Sequence, residues 1–187
     1  MVTLDFIFWI FVILFAIIGA MRGWAQELLV SFSIILSLFI FNVLQLVPVV
    51  QTIIGPGFVN EGGAAITGIG ETAFWVRTLL LVVFTFFGYQ TPRVKNERIR
   101  KAATRSDRLQ DTILGIIVGA FNGYLIFGTI WFFLIQADYF LKFVEPPTPD
   151  NESAALIIRF LAPTMLSGNR IYFAIAIAFA FVVIVFI

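Results

Sequence analysis

Apolar residues run along this chain in long unbroken blocks, and the breaks between the blocks hold nearly all of its charge. A soluble helix shows an apolar stripe at 3.6-residue spacing, whereas a helix apolar on every side is buried in protein or in lipid. The first block covers residues 6–21 behind Asp5 and predicts a span over 4–21. A cleaved signal peptide would want a basic start and a small-x-small cleavage site. Here the start is acidic and the block ends in Gly19-Ala20-Met21-Arg22, so the segment reads as a retained span. The second block, 28–50, carries Ser31, Ser33, Ser37, Asn42 and Gln45, and Pro48 is placed to kink or close it. The third, 73–89, holds Arg77 near its start. An arginine at mid-bilayer costs about 2.5–3.5 kcal/mol on insertion scales, but one turn from a helix end it can snorkel to the headgroups. The fourth block is 113–135 and the last is 171–187, each long enough to cross at about 1.5 Å per residue.

The connections differ in character. Residues 51–71 are Gly-rich, free of Lys and Arg, and contain Gly55-Pro56-Gly57; they read as a flexible outer connection. The stretch 62–70 lacks the Gly-Lys-Ser/Thr ending of a phosphate-binding loop. Residues 90–112 form a basic connection, and 136–170 form a mixed outer segment with the stiff turn Glu145-Pro146-Pro147-Thr148-Pro149-Asp150. Within that segment, 154–166 reads as an interfacial helix broken by Arg159 and Pro163. The fold expected is all-α: a polytopic transmembrane helical bundle in one membrane domain over 1–187, with four core spans and a fifth at the C-terminus.

Charge gives the orientation. Of 12 Lys and Arg, seven (Arg93, Lys95, Arg98, Arg100, Lys101, Arg105 and Arg108) lie between the third and fourth blocks. The positive-inside rule puts that connection in the cytoplasm. Arg22 then falls inside and 51–71 outside, with the N-terminus outside and, after five spans, the C-terminus inside. The seven basic residues read as ligands for anionic lipid headgroups or, alternatively, as a topology signal that needs no partner. They lack the aromatics and motif of a nucleic-acid site.

Composition narrows the chemistry. The chain of 187 residues is 60% hydrophobic and 12% charged, half the charged share usual for a soluble domain. With no cysteine and no histidine, disulfides, thiol chemistry and imidazole-ligated haem, zinc or bacteriochlorophyll are excluded within it. No cofactor, metal or catalytic residue is expected. The 23 Phe read as lipid-facing bulk or packing filler, with a pigment- or quinone-contacting face as the alternative. Trp24 and Trp75 sit where an aromatic belt would place them.

Two sets of positions stand out. Gly115, Gly119 and Gly123 recur every four residues, and Ser33 and Ser37 offer the same spacing on the second span. Small residues so spaced let helix backbones approach closely in lipid. They predict packing within the subunit or, alternatively, a face for self-association or another membrane subunit. Arg22, Glu27 and Asp111 end apolar blocks on one side of the membrane and predict a polar staple, with Arg22 paired to Glu27, Asp111 or both. A proton or ion relay is disfavoured, because no further acidic residue lies inside a span.

Asp5, Arg22-Gly23 with Glu27, and Asp111 with Gly115, Gly119 and Gly123 together resemble the colicin V production protein (CvpA) family of bacterial inner-membrane proteins. The resemblance covers residues 4–134. It implies a four-helix membrane core, a role in toxin export or envelope homeostasis, and no catalytic site. The chain departs from the family pattern at Asn122, where a basic residue often stands, and in its added terminal span. A non-enzymatic protein of that kind is expected, multi-pass in the bacterial cytoplasmic membrane, with membrane lipids and other membrane subunits or its own copies as partners. The alternatives are an accessory subunit of a larger, bioenergetic or photosynthetic, membrane complex and, more weakly, a small channel or carrier.

Overall fold

The computed structural model describes residues 3–60, 63–90, 105–142, 144–148 and 150–186. Among these residues there are eight helices and no strand; an isolated antiparallel bridge joins Val59 to Ala65. The helices are α1 (Leu4–Arg22), α2 (Trp24–Leu44), α3 (Pro48–Ile54), α4 (Glu71–Tyr89), α5 (Arg105–Gln136), α6 (Glu152–Arg159), α7 (Ala162–Met165) and α8 (Arg170–Phe186). Four of them, α1, α2, α4 and α5, are long and apolar enough to cross a membrane. The chain is therefore an all-α helical membrane bundle. The terminal helix α8 is apolar but has only 17 residues, at the lower limit for a span.

Several boundaries differ from the sequence reading, for physical reasons. The second span begins at Trp24 rather than at 28, because Glu27 is fully buried inside the bundle and does not mark an aqueous end. It ends at Leu44 rather than 50. Pro48 opens a separate short helix at its first turn, where the missing N–H costs nothing. The fourth helix starts at Arg105, so the last part of the basic connection 90–112 is helical. The expected interfacial helix of 154–166 is two pieces, split at Leu161, because Pro163 has no N–H for the Arg159 carbonyl and is tolerated only in the first turn of a new helix.

Helix α5 is the hub. It packs against α1 over the longest interface and also against α2, α4 and α7, while α2 carries α4 on one flank and α8 on another. Contacts fix the directions. Gly115, Gly119 and Gly123 meet Gly19, Phe15 and Phe11 in reverse order, so α1 and α5 are antiparallel. Ser31 pairs with Asn122, and Phe41 meets Phe133, so α2 and α5 run parallel.

Some of the phenylalanines pack inside the bundle and others face outward. Phe11 stacks on Phe127 with ring centroids 4.8 Å apart, and Phe8 meets Tyr124 and Trp131 edge to face. Phe41, Phe132 and Phe133 close around Phe58 at the Gln136 end of the bundle. Phe58 comes from the Gly-rich connection, which is not the flexible loop expected. Its Ile54, Phe58 and Ile69 are buried, and Ile69 N donates to the Gln136 carbonyl at 3.0 Å. A further clamp explains the order. Arg77, only 2% exposed, does not snorkel. Its guanidinium donates to the carbonyls of Ile54 and Pro56 and to Gln136 Oε1. Gln136 Nε2 lies 3.1, 3.1 and 2.9 Å from the carbonyl oxygens of Gly57, Phe58 and Ile66. In hydrocarbon an unpaired carbonyl costs several kcal/mol, and these two side chains supply the donors that a helix would have provided internally.

Candidate functional site

A second polar cluster lies toward the opposite end of the bundle, where α1 turns into α2. The turn is one residue, Gly23, at φ +88°, a conformation that glycine adopts without steric cost. It places Arg22 and Glu27 side by side. Arg22 Nη1 donates to Glu27 Oε1 at 2.8 Å, forming an ion pair in which Glu27 is completely buried and Arg22 is 19% exposed. Arg22 Nη2 donates to the Tyr89 carbonyl at 3.2 Å, and the guanidinium lies 4.4 Å from the centre of the Tyr89 ring. The last residue of α4 thereby joins the α1–α2 turn.

The other carboxylate oxygen of Glu27 is also held. Asn122 Nδ2 donates to Glu27 Oε2 at 2.8 Å and lies 2.9 Å from the Glu27 carbonyl, while Tyr89 Oη donates to Oε2 at 3.3 Å. Ser31 Oγ in turn donates to Asn122 Oδ1 at 2.6 Å. Five side chains from α1, α2, α4 and α5 thus share one buried network around one ion pair. Burying a carboxylate is costly unless a cation and further donors replace the lost water. Here a guanidinium, an amide and a phenol do so.

Of the pairings expected for Arg22, with Glu27, Asp111 or both, the ion pair seen among the described residues is with Glu27, and Asp111 meets the turn through backbone. Its Oδ1 accepts from Trp24 N at 3.3 Å, at the free N-terminus of α2, where a carboxylate meets unpaired N–H groups and the positive end of the helix dipole. Its carboxylate packs against Gly23, where a Cβ would lie 2.8 Å from Asp111 Oδ2. The staple therefore has two arms: Arg22–Glu27 as the ion pair, and Asp111 as the anchor that ties the turn to α5.

The glycine row lies just above. A Cβ on Gly115 would strike the Gly19 carbonyl, one on Gly119 the Phe15 carbonyl with the Gly19 Cα at 2.9 Å, and one on Gly123 would lie 2.9 Å from the Phe11 carbonyl oxygen. The groove is filled by α1 of the same chain. Ser33 and Ser37 are not part of it. Ser33 faces Gly88 on α4, where a Cβ would lie 2.8 Å from Ser33 Oγ, and Ser37 Oγ, buried, donates to the Ile34 carbonyl. Of the basic set, Arg105 is the first residue of α5 and Arg108 is exposed on it. Arg93, Lys95, Arg98, Arg100 and Lys101 lie outside the described residues.

Sequence reasoning did not find Tyr89, Ser31 or Asn122 as partners of Glu27. One signal was available: Asn122 falls one residue before Gly123, on the helix carrying the glycine row. Among the described residues no cluster of three or more His, Cys, Asp or Glu is placed to hold a metal ion.

A sequence model described as colicin V production protein matches residues 4–140, well over half of the chain. The matched stretch contains both polar clusters and the glycine row and ends before α6. No curated protein and no solved structure matches the chain.

Proposed function

The chain belongs to the colicin V production protein family, and on that footing we propose that it is a non-enzymatic scaffold of the bacterial cytoplasmic membrane, acting in toxin export or envelope homeostasis. As a family member it is a multi-pass membrane protein linked to toxin production. The observation that carries the further step is how its polar residues are used. Arg22, Glu27, Asn122 and Tyr89 direct their hydrogen bonds at one another and at backbone, which fixes helices in place rather than presenting a reactive group to a substrate. A rigid bundle of this kind suits a component that positions other envelope proteins or lipids.

The test is a strain lacking the protein. Toxin export, or survival under detergent and osmotic challenge, should fall and return with the wild-type chain. Equal performance with and without it refutes the role. In the proposed orientation the Arg22–Glu27 cluster faces the cytoplasm and the Arg77–Gln136 clamp faces outward, because the basic residues between α4 and α5 favour the inside. The absence of cysteine makes single-cysteine labelling clean. An impermeant maleimide added to intact cells should modify Asn60→Cys and leave Arg108→Cys untouched. The reverse pattern would invert the map.

A further inference from the structure

Helices α6 and α7 lie beside the bundle, below its Gln136 end, rather than over that end. Helix α6 touches α1, and the joint between α6 and α7 packs on α5. There Leu161 Cδ2 lies 3.3 Å from where a Cβ on Gly128 would stand, and Tyr124 Oη donates to the Phe160 carbonyl. A hydrocarbon core about 30 Å thick takes about 20 residues of helix. Asp111 is exposed, and a carboxylate in that position stands at or outside one edge of the core. The other edge then falls at Trp131 or further along α5, and any helix tilt moves it further still. Gly128 lies about 5 Å or more inside that edge, and Tyr124 about 10 Å or more. Helix α1 gives a similar depth. Phe8, which meets Tyr124 edge to face, stands about 6 Å in from the start of the helix at Leu4.

We propose that α6 and α7 form a wedge sunk among the acyl chains of a single leaflet, the one at the Gln136 end, with bulk lipid as the partner of its outward face. That face carries Leu156, Phe160 and Met165, all exposed, while Ala154, Leu161, Ala162 and Pro163 are buried against the bundle. The segment is thus apolar on both sides. A helix of 8 residues is too short to hold together alone in water, and this one gains from cover on the face that the bundle leaves open.

Depth separates lipid from water, and two further features separate it from a second protein. The outward face continues one that is already turned to lipid, since Phe6, Trp9 and Ile10 of the neighbouring α1 are exposed at the same level. Trp9 stands where an aromatic belt marks the interface. Charge fits as well. Arg159 is exposed, forms no ion pair among the described residues, and holds its guanidinium 5.8 Å from the Phe160 ring. An arginine so placed lays its stem along apolar surface and lifts its charge to the headgroup phosphates, matching the order of a leaflet from hydrocarbon to anion. The break in the backbone at Phe160 is provided for from within the chain, because Tyr124 gives its carbonyl the donor that hydrocarbon cannot. This placement goes beyond the scaffold role and holds whichever face of the membrane the Gln136 end meets.

The chain lacks cysteine, so a nitroxide on Leu156→Cys, with the full chain in phospholipid vesicles, reads depth directly. Its relaxation by oxygen relative to a water-soluble nickel chelate should approach that at Ile13→Cys, exposed on α1. It should exceed that at Asn60→Cys, exposed on the outer connection. A ratio equal to that at Asn60→Cys puts the segment in water and overturns the wedge. So does a label that neither agent reaches, which means that a second copy covers the face. Labelling the wild type guards against a variant that does not fold. A phospholipid with a photoreactive acyl chain should mark residues 156–165 as well as Ile13 and Ile17 of α1, and should spare Asn60. Marks on α1 with none on 156–165 refute the wedge.

Discussion

Gly119→Leu is expected to separate α1 from α5 and leave little folded protein after detergent extraction. Inserting bulk into a packed core costs about 1–3 kcal/mol when side chains can shift. At Gly119 the obstruction is backbone: the Phe15 carbonyl and the Gly19 Cα, the latter 2.9 Å from where the first added carbon would lie. The helices must move apart along their whole interface, so the loss should exceed that range, against a total stability of about 5–15 kcal/mol for ordinary proteins. Gly119→Ala should already lower the melting temperature. Gly128→Ala is the control. There the nearest atom to an added Cβ is a leucine methyl, Leu161 Cδ2, at 3.3 Å, which can rotate away. Size-exclusion profiles taken after heating would rank the three variants, and a normal profile for Gly119→Leu would show that the α1–α5 contact is dispensable.

The second large effect is an asymmetry within the ion pair. Arg22→Ala strands a fully buried carboxylate, whereas Glu27→Gln leaves a partly exposed guanidinium that water and headgroups can reach. Removing one partner of a buried pair costs about 3–5 kcal/mol; the partial exposure of Arg22 places its loss toward the lower figure. Glu27→Gln keeps an oxygen for Asn122 and Tyr89 to donate to, so about 1 kcal/mol is expected. Thermal melts of both variants in the same detergent should therefore show the larger drop for Arg22→Ala. Equal drops would mean that the carboxylate charge, rather than its compensation, governs the site.

These two predictions draw on different depths of the sequence. The glycine row was legible because its four-residue period is local, and a helix turns local periods into faces. The pairing of Arg22 with Glu27 was legible because both flank one turn. What local pattern does not encode is partnership across the chain. Tyr89 reaches Glu27 over 62 residues, Asn122 over 95, and Gln136 meets Arg77 over 59. Each is an ordinary polar residue in an apolar block until the bundle closes around it. Arg77 shows the cost of reading depth from position alone. Lying near a helix end, it was expected to reach for water, but the Gly-rich connection folds over that end and brings its carbonyls to the guanidinium. The four spans were readable from composition, since hydrocarbon demands long apolar helices. Their limits were not, because a charge buried with its partner does not end a helix.

The single-residue joint at Gly23 has a bearing on how the molecule is made. The first two helices leave the ribosome as a unit, yet α1 rests chiefly on α5, whose residue Gly115 follows Gly19 by about a hundred positions. At roughly 5–20 residues per second of synthesis, the bare backbone ridge of α1 stands against lipid for about 5–20 seconds before its counterpart is born. Biogenesis of this bundle thus includes an interval in which the α1–α2 hairpin lacks its main packing partner, and insertion machinery that shelters the glycine-lined face of α1 would act within it.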